Sequence, residues 1–129
     1  MEEKRLSLTD AEWCVMECLW DRSPRTGREL TEALAGRQGW SRSTTLTLLR
    51  RLEAKGAVGS GGDTGVKTFR PLVSREDAAL GETEDLLSRA YRGSLSLLVS
   101  TFTEKRELSK QEIDELQAIL RGLEGDHDA

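Results

Sequence analysis

The residues with the most chemistry to offer lie between positions 42 and 51. At about 100° per residue, Ser43, Thr44, Thr47, Arg50 and Arg51 fall on one side of a predicted helix, with no carboxylate among them. Thr45, Leu46, Leu48, Leu49 and Leu52 take the other side, which should pack on the two preceding helices. Guanidinium forks and small hydroxyls suit base edges in a DNA major groove. Arginine donates two bonds to guanine, and threonine offers thymine a hydroxyl and a methyl. The same groups bind phosphate oxygens. Arg42 and Ser43, at the helix start, are placed to meet phosphates or base edges, where the helix dipole adds attraction for anions. The opposing reading is an ordinary amphipathic helix with a solvated face. Surface helices usually mix both signs of charge, so an anion-free patch favours nucleic acid.

Other chemistries have less to work with. Cys14 and Cys18 stand four apart on a predicted helix and could present two metal ligands on one face. The one histidine, His127, lies far away in a polar tail, so Cys and His cannot complete a four-ligand zinc site. The cysteines read instead as buried, reduced core thiols. No Ser-His-Asp set can be assembled. The carboxylate pairs Glu82/Asp85 and Glu112/Glu115 sit at helical spacing on faces expected to be wet, where they serve helix starts and solubility. The expectation is a protein without catalytic residues, cofactor or metal.

The chain has 129 residues, 36% hydrophobic and 33% charged. That allows one modest core, or two small ones that share a partner's surface. It excludes an enzyme with separate cofactor and substrate domains. No apolar run is long enough to span a membrane, and no apolar stretch follows Met1-Glu-Glu-Lys-Arg5 as in a secretory signal. The expected location is the cytoplasm. The net charge of −4 hides an asymmetry. Residues 1–73 carry 12 Lys/Arg and 10 Asp/Glu, a net of +2, and residues 74–129 carry 7 and 13, a net of −6. Residues 37–70 hold Arg37, Arg42, Arg50, Arg51, Lys55, Lys67 and Arg70 against Glu53 and Asp63, a net of +5. A local field of that sign can hold a polyanion on an acidic protein.

The elements that must position these groups are marked by local signals. Thr9-Asp-Ala-Glu12 and Thr26-Gly-Arg-Glu29 fit capping boxes, and Leu8 and Trp13 flank the first as a staple. A first helix through Trp13, Val15, Met16, Leu19 and Trp20 should be well buried. Asp21-Arg-Ser-Pro-Arg25 reads as a turn, and Gly36 as the end of the second helix. Trp40 reads as a core filler that fixes how the third helix enters. Ser41 caps that helix, which runs to about Lys55 and ends at Gly56. Five glycines in 56–65 read as a flexible hairpin tip between short strands at Ala57-Val58 and Val66–Leu72. Lys67 and Arg70 on the hairpin could reach phosphates beside the groove. Three helices and a hairpin are the order of a winged helix-turn-helix. The predicted fold is mainly α, with a winged-helix domain over 6–73, a helical domain over 74–124 and a loose tail over 125–129.

The second part is amphipathic, acidic and short of residues for a core of its own. Leu87, Tyr91, Leu95, Leu98 and Phe102 recur at helical spacing, with Gly93 as a bend. Ser109-Lys-Gln-Glu112 opens another helix, whose stripe is Ile113, Leu116, Leu120 and Leu123. Pairing with a second copy would cover these residues, double the DNA contacts and match a palindromic site. The opposing reading folds these helices back on the winged domain of the same chain.

Several runs resemble one family. They are Leu8-Thr-Asp-Ala-Glu-Trp13 with Val15-Met16 and Leu19-Trp20; Trp40-Ser-Arg-Ser-Thr44 leading to Leu48-Leu-Arg-Arg-Leu52 and Lys55-Gly56; Thr68-Phe-Arg-Pro71; Tyr91-Arg-Gly-Ser-Leu95 with Val99 and Phe102; and Leu108-Ser109, Glu112-Ile113 and Glu115-Leu116. Together they are similar to the BlaI/MecI/CopY-type repressors, the penicillinase-repressor family, over roughly residues 6–123. The resemblance implies a dimeric transcriptional repressor on dyad operators with TACA/TGTA-like half-sites, controlling resistance or metal-homeostasis genes. It places Thr44, Thr47 and Arg51 in or beside the major groove. Copper-responsive members carry a C-terminal cysteine cluster, and this chain has no cysteine after Cys18. β-Lactam-responsive members are inactivated by cleavage of an Asn–Phe bond. The matching pair here is Thr101–Phe102, with the phenylalanine kept and the asparagine not. The leading expectation is a cytoplasmic homodimeric repressor bound to double-stranded DNA, with any sensor or protease partner unidentified. The alternative is a winged-helix protein-interaction module that does not bind DNA.

Overall fold

The computed structural model describes residues 6–62 and 65–127. Its helices begin where side chains can satisfy the free amides of a first turn. Thr9 Oγ1 accepts from the Glu12 amide at 3.1 Å and Glu12 Oε1 accepts from the Thr9 amide at 2.8 Å, opening α1 (Asp10–Asp21). Thr26 and Glu29 repeat the exchange at 3.1 and 3.0 Å to open α2 (Gly27–Gln38). Ser41 caps α3 (Arg42–Lys55), which stops at Gly56 with φ 81°. The helix α2 continues past Gly36 and ends at Gly39, φ 70°, whose amide donates to the Ala35 carbonyl at 3.0 Å. Continuing the helix holds Arg37 where it donates to Cys18 Sγ at 3.7 Å.

Arg25–Thr26, expected as part of a turn and a cap, forms β1, and the short strand expected at Ala57-Val58 is β2 at Val58–Gly61, extending into glycines read as part of the tip. Both pair antiparallel with β3 (Thr68–Pro71), giving the order β1-β3-β2. Arg25 faces Phe69 and Thr26 faces Thr68; Val58 faces Pro71 and Gly61 faces Thr68. A two-residue strand exists only because a partner edge arrives from far along the chain. Residues 63–64 of the hairpin tip lie outside the described residues.

Helices and sheet enclose one core of Val15, Met16, Cys18, Leu19, Leu30, Leu34, Leu48, Leu49, Leu52, Val58 and Phe69. Each such side chain contributes about 1.5–3 kcal/mol by leaving water.

The chain divides into two compact units, Met1–Asp85 and Leu86–Ala129. The first reaches beyond the 73/74 boundary expected from sequence and takes in most of α4 (Arg75–Ala90). Ala78 is buried in the core, Trp20 Nε1 donates to the Val73 carbonyl at 2.9 Å, and Arg75 donates twice to Glu17, at 2.8 and 3.3 Å.

In the second unit α4 stops at Arg92 and Gly93, φ 51° and 77°, where the Gly93 amide donates to the Leu87 carbonyl at 2.8 Å. The glycine is thus a helix end, beyond which α5 (Leu95–Lys105) starts afresh from its Ser94 cap. Ser109 and Glu112 form the third capping box, at 3.1 and 3.2 Å, and open α6 (Lys110–His127). The helix α6 passes through Gly125, expected as its end, to His127; residues 128–129 lie outside the described ones. None of residues 86–125 is buried.

Candidate nucleic-acid interface

The helix α3 divides as its sequence demands. Thr45, Leu48, Leu49 and Leu52 are buried and Leu46 is half-buried, its side chain lying beside Gly27 of α2. Arg42, Ser43, Thr44, Thr47, Arg50 and Arg51 are all exposed. All six predicted α3 groups are therefore exposed; five share the face opposite the buried one, while Arg42, at the first helical position, opens on the side of α2. At its N-terminal end, Ser41 Oγ lies 3.0 Å from Thr44 Oγ1 and 3.1 Å from Ser43 Oγ, a cluster of hydroxyls with no acid nearby on the helix.

Two concavities flank this face. One, of about 310 Å³, is lined by Ala11, Trp40, Ser43, Thr44, Thr47, Leu48 and Arg51. Trp40 is half-buried against the core, and so forms a fixed wall beside the start of the helix. The other, of about 410 Å³, is lined by Arg28, Thr31, Glu32 and Arg42. Sequence reasoning missed Arg28; the available signal was a cation at the second position of α2. It lies 3.4 Å from Glu32, one turn on.

The hairpin splits its two predicted cations. Phe69 points into the core, so Arg70, next along β3, is exposed on the opposite face. Lys67 turns back toward α3 and meets Glu53, the one acid of that helix.

The cysteines are free; Cys18 is buried and Cys14 only half-buried, so the expectation of two buried thiols holds for one. Burial pushes the Cys18 thiol pKa up, against the pull of Arg37 and Arg25. Among the described residues no group of three His, Cys, Asp or Glu could hold a metal ion, and no helix is long and apolar enough to cross a membrane.

In the second unit, Leu87, Tyr91 and Leu98 are half-buried, and Leu95, Phe102, Ile113, Leu116 and Leu120 are exposed. Leu95 and Leu120 keep 60% and 59% of their surface in water. Ile119, at 61%, belongs with them and was missed, although it lies three residues from Leu116. The pair Thr101–Phe102 lies inside α5, with both residues exposed.

Comparison with known proteins now decides the family. The penicillinase repressor model matches residues 8–122. The chain belongs to the penicillinase repressor family. Its relatives include the methicillin resistance regulatory protein MecI of Mammaliicoccus sciuri, 31% identical over 120 residues that cover 93% of this chain and 98% of that protein. The penicillinase repressor of Bacillus licheniformis is 34% identical over 113 residues, 88% of each chain. The solution structure of monomeric B. licheniformis BlaI in complex with the blaP half-operator is 31% identical, with a TM-score of 0.52, and covers 57% of this chain and 90% of that one. This is a family of transcriptional repressors, not of enzymes, and its match runs through both units.

Proposed function

We propose that this family member is a DNA-binding transcriptional repressor in which two copies hold a dyad operator, each laying α3 in a major groove. The observation that carries the reading is the exposed, carboxylate-free face of α3. On it Thr44, Thr47, Arg50 and Arg51 meet base edges, and Arg42 and Ser43 meet phosphates at the helix start. Arg70, exposed on the hairpin, reaches the backbone beside the groove. A relative 31% identical over 57% of this chain is known bound to an operator half-site, which supports the assignment.

The second unit is proposed to join the two copies. It has no buried residue between 86 and 125, so its apolar stripes need cover from outside the unit. A two-fold pair through Leu87, Tyr91, Leu95, Leu98, Phe102, Ile113, Leu116 and Leu120 supplies that cover and matches a palindrome. The half-sites are TACA/TGTA-like, as family membership implies, and the protein works in the cytoplasm, where its operator is.

A salt titration tests the reading. Binding of the full chain to duplexes selected from a random pool should fall steeply between low and physiological salt, because each phosphate contact releases counterions. The selected duplexes should share a dyad. Salt-insensitive binding, or a pool left without a common sequence, contradicts it.

A further inference from the structure

Glu53 stands near the C-terminal end of α3, away from the hydroxyl cluster. Two groups of the hairpin converge on its carboxylate. Ser60 of β2 donates its hydroxyl to Oε2 at 3.0 Å, and Lys67, just before β3, places Nζ 3.5 Å from Oε1. The same ammonium lies 5.2 Å from the centroid of the Phe69 ring. Glu53 is half-buried, Ser60 holds its second oxygen, and Lys67 meets the first from a side chain that is 59% exposed. An ammonium already neutralised by a carboxylate adds little to counterion release when DNA approaches.

We propose that Glu53 is a positioning residue for the wing. It ties the hairpin to α3 and withholds the charge of Lys67 from the DNA backbone, so this cation does not count in the salt dependence of binding. The proposal rests on the DNA-binding reading above and adds a restraint to it. The carboxylate lowers affinity for any duplex and leaves discrimination to the face of α3.

The test measures anisotropy of a labelled random-sequence duplex with the full chain between 50 and 200 mM salt. Freeing one cation steepens the slope of log affinity against log salt by about 0.9, so Glu53→Gln should lose about threefold more affinity over that range than the native chain. At the low-salt end it should bind more tightly. The double variant Glu53→Gln/Lys67→Ala should return to the native slope. A native slope in Glu53→Gln overturns the proposal. So does a slope that stays steep in the double variant, since the effect would then belong to the general field and not to Lys67. Either result leaves the DNA-binding reading standing. Absence of duplex binding by the native chain defeats that reading and this proposal together.

Discussion

Lys55 Nζ lies 2.6 Å from Glu12 Oε1, and the acid it meets is 1% exposed. The pair ties the first turn of α1 to the last turn of α3, and Lys55 also donates to the Ser7 carbonyl at 2.7 Å. Burial works to raise the pKa of the Glu12 carboxyl. The hydrogen bond from Lys55 and those from Thr9 outweigh it, and the group sits below its ordinary value. One carboxylate thus serves as helix cap and as anchor for α3.

Removing the cation exposes what that anchoring costs. Lys55→Met leaves a buried carboxylate with too few donors and should lower the free energy of urea unfolding by about 2 kcal/mol. The pH dependence has a definite sign. Folded Glu12 binds its proton less tightly than the unfolded chain does, so its contribution is present in full well above pH 4.5. It is lost as the pH falls from there through the folded value. Glu12→Gln should flatten that acid limb, and an unchanged limb would show that other carboxylates carry it.

Arg51 is exposed and lines the cavity beside Trp40. Arg51→Ala should weaken operator binding by about 1–3 kcal/mol while the thermal midpoint stays put. Unchanged affinity would remove Arg51 from the reading face.

The second unit makes a prediction about mass. Sedimentation equilibrium should show a dimer at micromolar concentration. Leu120→Asp places a charge where apolar contact is proposed and should weaken the dimer by at least 100-fold, about 3 kcal/mol. The first unit keeps its core in that variant, so its Trp13 and Trp20 fluorescence should stay native. A variant that sediments as the native dimer does would relocate the interface.

Gly62 has φ 150°, and a Cβ there would run into the Val66 carbonyl oxygen. Gly62→Ala should cost about 1–3 kcal/mol in strain at the wing. Gly39→Ala meets open space and carries only its left-handed φ, a cost of about 1 kcal/mol. Thermal melts of the two variants should rank them in that order.

What the sequence made legible is what is local. The capping boxes at Thr9, Thr26 and Ser109 were readable because donor and acceptor stand three residues apart. The face of α3 was readable because helical periodicity alone sets it. The burial of Glu12 was not, since its partner lies 43 residues on. Nor was β1, whose edge is supplied by Phe69 and Thr68. The contact of Lys67 with Glu53 was not legible either, because it exists only after the hairpin has closed. In the second unit, the exposure of Ile119 and Leu97 follows from which side of each helix lacks cover, and a single chain's pattern does not say that.

That second unit has a consequence for the cell. A segment in which every apolar side chain from Leu86 to Leu123 stays partly wet leaves that surface to be covered by what surrounds it. For such a segment, copy number becomes a structural parameter. When two like chains supply the cover, the paired form grows with the square of the free one. While the free form dominates, a modest fractional drop in synthesis then lowers the paired form by about twice that fraction.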